Sequence, residues 1–277
     1  MALVRKDKLQ IGKVRKDMVD LIASDIDYTL LQGGQTEIPP SVLEVIGKLA
    51  DRGVMFVASS GRQYSNLKRL FAPVADKISY ICENGALIMY KDQVVAKFPI
   101  ERNLGTQMMA DIWDRGKCEI LLSGMYTSYL FPKTREYVYY IQNRMKNDAE
   151  IVHNVAEVEE DFLKISIYNK QGIEEWSDYF IKRWGTLVRP VITGKCWLDF
   201  NSREVSKGKA LTILQDLFDV TEDKTMSFGD NYSDLGMFKH SYFSYAMSGA
   251  PSEVRAQARY VTPTVESILL DVLRMII

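Results

Sequence analysis

Short apolar segments that each end in polar residues alternate with helical patterns near the start of the chain. Apolar runs lie at residues 19–24, 54–58 and 78–82, and the clusters DIDYTL, SSGR and ENG follow them. Between the first two runs, apolar residues recur at helical spacing after Pro39 and Pro40, and Gly53 ends the pattern. Such runs are typical of strands buried on both faces, and their alternation with helices predicts a parallel sheet. We therefore expect an α/β protein with a Rossmann-like parallel sheet core.

The pattern changes after about Gly85 and resumes near Ser206. The middle of the chain mixes paired strand patterns with helical stretches, which predicts an α+β unit. Beyond it, Ser206 can cap a helix at residues 207–218, and an apolar run at 225–228 leads into GDNYSD. We expect a core domain formed by residues 1–88 and 190–277, with an N-terminal extension at 1–17. A second, α+β domain at residues 89–189 is inserted into that core.

Composition and charge exclude several classes of protein. The chain has 277 residues, 47% of them hydrophobic and 26% charged, which is ordinary for a globular protein rather than a disordered one. A net charge of -1 provides no global field for nucleic acid or an anionic membrane. The chain has no run of about 18 apolar residues, and its charged N-terminus lacks the apolar stretch of a secretory signal. We expect no nucleic-acid partner and no membrane partner.

The cysteines and histidines do not form a metal or redox motif. Cys82, Cys118 and Cys196 include no CxxC pair, and the two histidines, His153 and His240, lack the spacing of metal ligands. Sparse cysteines in odd number fit a reducing compartment. We therefore expect a cytoplasmic protein.

Polar residues follow the predicted strands or begin a predicted helix. In open α/β sheets, ligands bind outside the carboxyl ends of the strands, so these side chains are expected to converge on one crevice. They are Asp25, Asp27, Ser60, Lys207, Asp230 and Asp234.

The residue types of this crevice favour one chemistry. Four carboxylates with one lysine and no histidine suit a hard divalent cation, and oxygen ligands favour Mg²⁺. A carboxylate beside such a metal can attack phosphorus, because the metal offsets the repulsion between two anions. Lysine, a hydroxyl and backbone N–H groups can hold the other phosphoryl oxygens. We expect Mg²⁺ as the cofactor and a phosphate ester as the substrate.

Four motifs resemble those of the haloacid dehalogenase superfamily of phosphohydrolases. DIDYTL, SSGR, VSKGKAL and GDNYSD occur in the order typical of that superfamily. The segments ENGA and AMSGAPSEVRAQARYVT are similar to its Cof-type branch, whose members carry a type IIB cap between the second and third motifs. The resemblance covers about residues 18–88 and 190–277, and it implies that residues 89–189 are a type IIB cap domain.

The resemblance implies a role for each motif residue. Asp25 is the nucleophile that forms an aspartyl-phosphate, and Asp27 is the general acid and then the general base. Ser60 and Lys207 are catalytic residues that bind the transferring phosphoryl group. The metal residues are Asp25, Asp27 through its backbone carbonyl, Asp230, and Asp234, which supports the metal shell or orients Lys207. The implied substrate-binding residues are Ser60, Gly61, Arg62, Asn84, Lys207 and Asn231.

Two residues depart from the family pattern. Many relatives have glycine where this chain has Tyr28, and a tyrosine there adds bulk beside the nucleophile, where it can touch the substrate or the cap. The fourth motif often ends in Asn-Asp, whereas this chain has Ser233 before Asp234. A serine still forms hydrogen bonds, so we expect weaker tuning of the site rather than loss of the metal.

The implied function is a Mg²⁺-dependent phosphatase that hydrolyses small-molecule phosphomonoesters, such as sugar phosphates or related metabolites, through an aspartyl-phosphate intermediate. Two alternatives stay open. A phosphotransferase or phosphomutase on the same core would pass the phosphoryl group to a sugar hydroxyl. A non-catalytic phosphate-binding module would keep Asp25 phosphorylated without turnover. We expect a small phosphate ester as partner, and a monomer or weak homo-oligomer.

Overall fold

The computed structural model describes residues 19–276, so the expected N-terminal extension at 1–17 lies outside the described residues. The strands, numbered in chain order, are β1 (Leu21–Asp25), β2 (Met55–Ser59), β3 (Ser79–Cys82), β4 (Leu87–Tyr90), β5 (Gln93–Lys97), β6 (Glu119–Ser123), β7 (Ser128–Phe131), β8 (Ala149–Ile151), β9 (Lys164–Tyr168), β10 (Val188–Thr193), β11 (Trp197–Ser202), β12 (Thr225–Gly229), β13 (Phe243–Met247) and β14 (Tyr260–Thr262). The α-helices are α1 (Pro40–Asp51), α2 (Tyr64–Leu70), α3 (Arg102–Asp114), α4 (Arg135–Tyr139), α5 (Glu174–Trp184), α6 (Lys207–Phe218), α7 (Leu235–Lys239), α8 (Ser252–Arg255) and α9 (Val265–Met275).

The described residues form two compact units, and the first contains an eight-stranded sheet. This unit comprises residues 19–62, 67–96 and 206–276. Its strand order is β14-β13-β12-β1-β2-β3-β4-β5. The strands from β14 to β3 pair in parallel, and β4 is antiparallel to β3. The predicted α/β fold with a parallel sheet core is confirmed.

The central strands of this sheet are buried on both faces, which explains their apolar sequences. Every residue of β1 and of β12 is buried. Helix α1 begins at Pro40, where the missing N–H is no loss, and its inward side chains include Ile46 and Leu49, both fully buried. Helices that cover both faces of a parallel sheet leave its strands no polar side, so the strand sequences are continuous apolar runs.

Helix α6 is placed by its cap and by a glycine contact. The side chain of Ser206 accepts a hydrogen bond from the backbone N–H of Lys209, as the N-cap prediction requires. A Cβ on Gly208 would lie 2.6 Å from the backbone of Gly236, the second residue of α7. Only glycine permits this approach, so the first turn of α6 lies directly against α7.

The second compact unit contains residues 97–205 together with 63–66 and has a six-stranded sheet. Its strand order is β10-β11-β9-β6-β7-β8, and all pairs are antiparallel except β7 with β8. Apolar residues of α3 and α5, such as Ile112 and Phe180, form one core with alternate strand residues, such as Ile165 and Phe200. The mixture of helices with paired strands is the α+β organisation that the sequence predicts for this region.

The observed boundaries between the units differ from the predicted ones. The predicted boundary at residue 88 falls inside β4, and both β4 and β5 belong to the sheet of the first unit. The predicted boundary at residue 190 falls inside β10, which pairs with β11 in the sheet of the second unit. Hairpin strands have the same local sequence pattern in either sheet, so pairing partners decide to which unit they belong. None of the helices within residues 19–276 has the length and apolar character needed to cross a membrane.

Candidate active site

Three aspartates come together at the carboxyl edge of the first sheet. Asp25 is the last residue of β1, and Asp230 directly follows β12, the neighbouring parallel strand. One carboxylate oxygen from each of Asp25, Asp230 and Asp234 lies within 4.8 Å of the others. The structure therefore brings these predicted residues to one point, because parallel neighbours end at the same edge of a sheet.

Lys207 lies between two of these carboxylates. Its Nζ donates a hydrogen bond to Oδ1 of Asp25 over 2.5 Å and another to Oδ1 of Asp234 over 2.7 Å. The lysine side chain is only 3% exposed. A Cβ on Gly85, which has a φ of +106°, would lie 2.6 Å from the carbonyl oxygen of Ser206, the residue before the lysine. The glycine thus lets the turn after β3 lie against the start of α6 and fixes where Lys207 enters the site.

Asp234 is completely buried and links the lysine to the loop after β12. Its Oδ2 accepts hydrogen bonds from the backbone N–H groups of Asp230 and Asn231, both over 3.1 Å. A Cβ on Gly229 would lie 2.6 Å from the Asp234 carboxylate, so that position has no room for a side chain. The hydrogen bonds of Asp234 therefore connect Lys207 to the loop that carries Asp230, and its two implied roles stay predictions.

The cluster has more negative than positive charge. Burial raises the pKa of Asp25 well above its usual value, Lys207 opposes that rise, and Asp234 adds to it. The pKa of Asp230 is raised as well, by burial and by the Asp234 carboxylate. Burial alone would lower the pKa of Lys207, but Asp234 and Asp25 outweigh it and hold that pKa above its usual value. One ammonium for three carboxylates leaves a deficit of positive charge that a hard cation can fill.

The Asp27 side chain binds Arg62. Nε of Arg62 donates to Oδ2 of Asp27 over 2.9 Å, and Nη2 donates to Oδ1 over 2.5 Å. The two side chains are partly exposed, at 30% for the arginine and 45% for the aspartate. The Asp27 side chain is therefore not one of the three clustered carboxylates. Its implied role through the backbone carbonyl stays a prediction.

Ser60, Gly61 and Asn84 lie together where β2 and β3 end. The backbone N–H of Asn84 donates to the carbonyl of Ser60 over 3.0 Å, and a Cβ on Gly61 would lie 2.9 Å from Oδ1 of Asn84. Nδ2 of Asn84 is buried and has no hydrogen-bond partner among the described residues. A buried amide donor without a partner is costly, so this group suits an anionic acceptor that arrives with a ligand. Asn231 is exposed, and its side chain caps the next turn by accepting from the N–H of Tyr232 over 2.7 Å.

The sequence-based site lacked one buried residue, Thr29. Its Oγ1 donates a hydrogen bond to Oδ1 of Asp230 over 3.0 Å, and only 1% of the residue is exposed. This contact ties the loop after β1 to the loop after β12. Thr29 is the last residue of the Asp-x-Asp-x-Thr motif that begins at Asp25, and this motif was the sequence signal that could have identified it. The motif does not indicate which residue its hydroxyl contacts.

Tyr28 has a left-handed backbone conformation, with a φ of +65°. It is also exposed, at 76% of the residue. We expect Tyr28→Gly to leave the free energy of unfolding within about 1 kcal/mol of wild type, because glycine adopts positive φ without a clash. Tyr28→Val is expected to lower it by about 1–2 kcal/mol, because a β-branched residue is strained there. Urea unfolding measures both. Tyr126→Val, at an exposed tyrosine without positive φ, is the control, and an equal loss there would refute the strain.

A parallel α/β core with a buried acidic cluster at its strand ends is an arrangement that suits enzymes of metal-assisted phosphoryl chemistry. A model of the haloacid dehalogenase-like hydrolase family matches residues 22–268 of the chain. The chain belongs to that family. The predicted superfamily and the predicted enzyme class, a phosphoric monoester hydrolase, are confirmed.

Individual relatives extend along most of the chain. It is 26% identical to the 5-amino-6-(5-phospho-D-ribitylamino)uracil phosphatase YbjI of Escherichia coli K12, over 87% of this chain and 90% of the relative. A crystal structure from Eubacterium rectale has 29% identity and a TM-score of 0.84, covering 94% of this chain and 100% of that one. The subclass IIB sugar phosphatase BT4131 has 21% identity and a TM-score of 0.77 over 94% and 100% of the two chains, which is a likeness of fold.

Proposed function

We propose that the chain is a Mg²⁺-dependent phosphatase that hydrolyses small phosphomonoesters through a phosphorylated Asp25. The observation that carries this proposal is the buried group of Asp25, Asp230 and Asp234 around the single ammonium of Lys207. Burying three carboxylates around one ammonium costs folding free energy, and a role of their charge in the reaction would account for that cost. Membership of a hydrolase family favours transfer to water over the alternatives of transfer to a sugar or phosphate binding without turnover.

The residues of the cluster fit a magnesium ion. Asp25, Asp230 and Asp234 offer only oxygen ligands, and the one ammonium that contacts them, that of Lys207, does not balance three carboxylates. Mg²⁺ prefers oxygen ligands and few carboxylates. Asp25 and Asp230 would hold the ion together with the backbone carbonyl of Asp27, and Asp234 would support this group. The bound ion would offset the charge of the phosphoryl group as an anionic carboxylate approaches it.

The chain's own residues supply the covalent chemistry and the proton. An Asp25 carboxylate oxygen forms a bond to phosphorus while the bond from phosphorus to the leaving oxygen breaks. Asp27 gives its proton to that oxygen, so the product leaves as an alcohol. In the second step Asp27 takes a proton from water, the water oxygen bonds to phosphorus, and the bond to Asp25 breaks. Inorganic phosphate and the original carboxylate result.

The remaining phosphoryl oxygens need donors that are already in place. Hydrogen bonds to two carboxylates hold Lys207 in place. The hydroxyl of the buried Ser60 can donate its proton to a phosphoryl oxygen. Nδ2 of Asn84 is buried without a partner among the described residues. Donors held rigidly before the substrate arrives need no reorganisation during the reaction. We propose that these three groups, with the backbone of Gly61, bind the transferring phosphoryl group.

We propose that the second unit is a type IIB cap domain that selects the substrate. The sugar phosphatase BT4131, which has a similar fold, and the ribitylaminouracil phosphatase YbjI both act on phosphorylated small molecules by name. Sugar phosphates and related metabolites are therefore the substrate class of this proposal. A cytoplasmic location and a monomer or weak homo-oligomer stay predictions.

Phosphate release from a panel of sugar phosphates, nucleotides and alkyl phosphates tests the proposal. We expect release from at least one compound with Mg²⁺ and a loss of at least about 100-fold when EDTA is added, because the cation offsets the charge of the carboxylates. Restoring Mg²⁺ in excess over EDTA is the control and should restore the rate. Release that is indifferent to EDTA would contradict the metal requirement, and no release from any compound would contradict the phosphatase.

A further inference from the structure

The guanidinium of Arg62 binds both carboxylate oxygens of Asp27. Nε donates to Oδ2 over 2.9 Å and Nη2 donates to Oδ1 over 2.5 Å. We call this pair of parallel hydrogen bonds, from two N–H groups of one planar guanidinium to the two oxygens of one carboxylate, the fork. It fixes the rotation of the carboxylate as well as its position, whereas an ammonium fixes only the position. From this geometry we propose that Arg62 is a positioning residue, which orients Asp27 for proton exchange with the leaving oxygen instead of binding the phosphoryl group itself.

The backbone of Arg62 is held on both sides, so its side chain starts from a fixed point. Its N–H donates to Oγ of Ser60 over 3.2 Å, and its carbonyl accepts from the N–H of Glu83 over 3.1 Å. The N–H of Asn84 donates to the carbonyl of Ser60 in the same place. Hydrogen bonds therefore join the loop after β2 to the turn after β3. The guanidinium that contacts Asp27 starts from a backbone held in this way.

The loop of Asp27 is also constrained. The N–H of Tyr28 donates to the carbonyl of Leu31, and the N–H of Leu31 donates to the carbonyl of Ile26, both over 2.8 Å. These bonds close a tight turn directly after the aspartate. Because hydrogen bonds hold both the loop of Arg62 and the loop of Asp27, the contact between the two side chains gives the Asp27 carboxylate one defined orientation.

The two cations of the site serve different carboxylates. Lys207 contacts Asp25 and Asp234 and is almost fully buried, whereas Arg62 contacts Asp27 where both side chains are partly exposed. Exposed ion pairs generally add little to folding stability, although a two-bond arginine–carboxylate contact such as this one is an exception. Whatever it adds to stability, the contact fixes the orientation of the Asp27 carboxylate.

This inference rests on the proposed function, and it predicts a selective kinetic defect. An alkyl leaving group needs a proton from Asp27, whereas p-nitrophenolate is stable enough to leave without one. General acid catalysis contributes about 10²–10⁴-fold, and a misplacement of about 1 Å can cost about 100-fold. Loss of this two-bond contact should therefore slow the first step, transfer of the phosphoryl group to Asp25, much more for alkyl phosphates than for p-nitrophenyl phosphate.

The experiment measures kcat and KM of the full chain with Mg²⁺ for p-nitrophenyl phosphate and for the alkyl phosphate that wild type hydrolyses fastest. We expect Arg62→Met to lower kcat/KM, which reports transfer of the phosphoryl group to Asp25, by about 10–100-fold on the alkyl phosphate and by less than about threefold on p-nitrophenyl phosphate. The value of kcat can fall on both substrates, because Asp27 also takes the proton from water in the second step. Arg62→Lys, which keeps the charge without the fork, should fall between Arg62→Met and wild type. Asp27→Asn should show the same selectivity, and adding Arg62→Met to it should cause no further loss.

The matched control is Arg52→Met, since Arg52 is exposed at the opposite end of β2 from the site. It should leave both rates and the melting temperature unchanged. Equal losses of kcat/KM on both substrates, with a raised KM, would overturn the inference and make Arg62 a phosphate ligand. A faster kcat in Arg62→Met would also overturn it, because the arginine would then hold Asp27 away. If Asp25→Asn remains active, the proposed function itself fails and this inference fails with it.

Discussion

Asp25→Asn is expected to abolish phosphate release while the protein still folds. Asparagine has nearly the shape of aspartate, but its neutral amide cannot form the bond to phosphorus. Loss of a nucleophile of this kind typically lowers kcat by about 10⁴-fold or more. The measurement is phosphate release from the best substrate of the panel, with Mg²⁺ at saturation.

The same variant has an expected signature in stability. Because burial raises the pKa of Asp25, its ionised form costs folding free energy. Its contribution to stability is fully present below the ordinary pKa of about 3.9 and is lost as pH rises through the raised value. In EDTA, wild type should therefore lose stability across that window relative to Asp25→Asn, as urea unfolding at several pH values would show.

Asp76→Asn is the control for both measurements, because Asp76 is exposed and outside the site. It should keep the wild-type rate and the wild-type pH dependence. Residual release by Asp25→Asn at more than about 1% of wild type would remove Asp25 as the nucleophile.

Lys207→Met is expected to have the largest effect on stability. The ammonium lies within 2.7 Å of two buried carboxylates, so its removal leaves Asp25 and Asp234 without a counter-charge. Removing one partner of a buried ion pair typically costs about 3–5 kcal/mol. Urea unfolding in EDTA measures this loss. Phosphate release should fall by about 10²–10³-fold as well, because the phosphoryl oxygens lose a fixed cation.

Magnesium should partly rescue the stability of Lys207→Met. A cation that binds the folded state alone stabilises it, and three carboxylates without the lysine attract one more strongly. The melting temperature of the variant should therefore rise more with Mg²⁺ than that of wild type. Lys239→Met, at an exposed lysine on α7, is the control. A Lys207→Met protein as stable as wild type would show that the lysine does not balance the cluster.

The sequence was informative where local signals and the final fold agree. Apolar runs predicted the central strands, and the polar residues at their ends, such as Asp25 and Asp230, do meet at one edge. Ser206 caps α6 as its position before the helix indicates. These predictions needed only residue type, spacing and the rule that parallel strands end together.

The sequence was weak where polar edges and long-range pairing decide the structure. The two strands without a clear apolar signal, β8 and β10, are the edges of the second sheet. Residues of β8 are mostly exposed, and β10 contains Pro190, which edge strands tolerate. The unit boundaries shifted for a related reason, since each boundary hairpin joined the sheet that offered it a partner.

The sequence by itself determined the class of fold, the family and the set of polar residues at the strand ends, because each of these depends on local pattern and order along the chain. Only the tertiary structure decided which charge faces which. Lys207 turned out to bind Asp25 and Asp234, Thr29 to bind Asp230, and Arg62 to bind Asp27. Such pairings join residues up to 201 positions apart, and their geometry follows from how the loops pack rather than from the residues' identities.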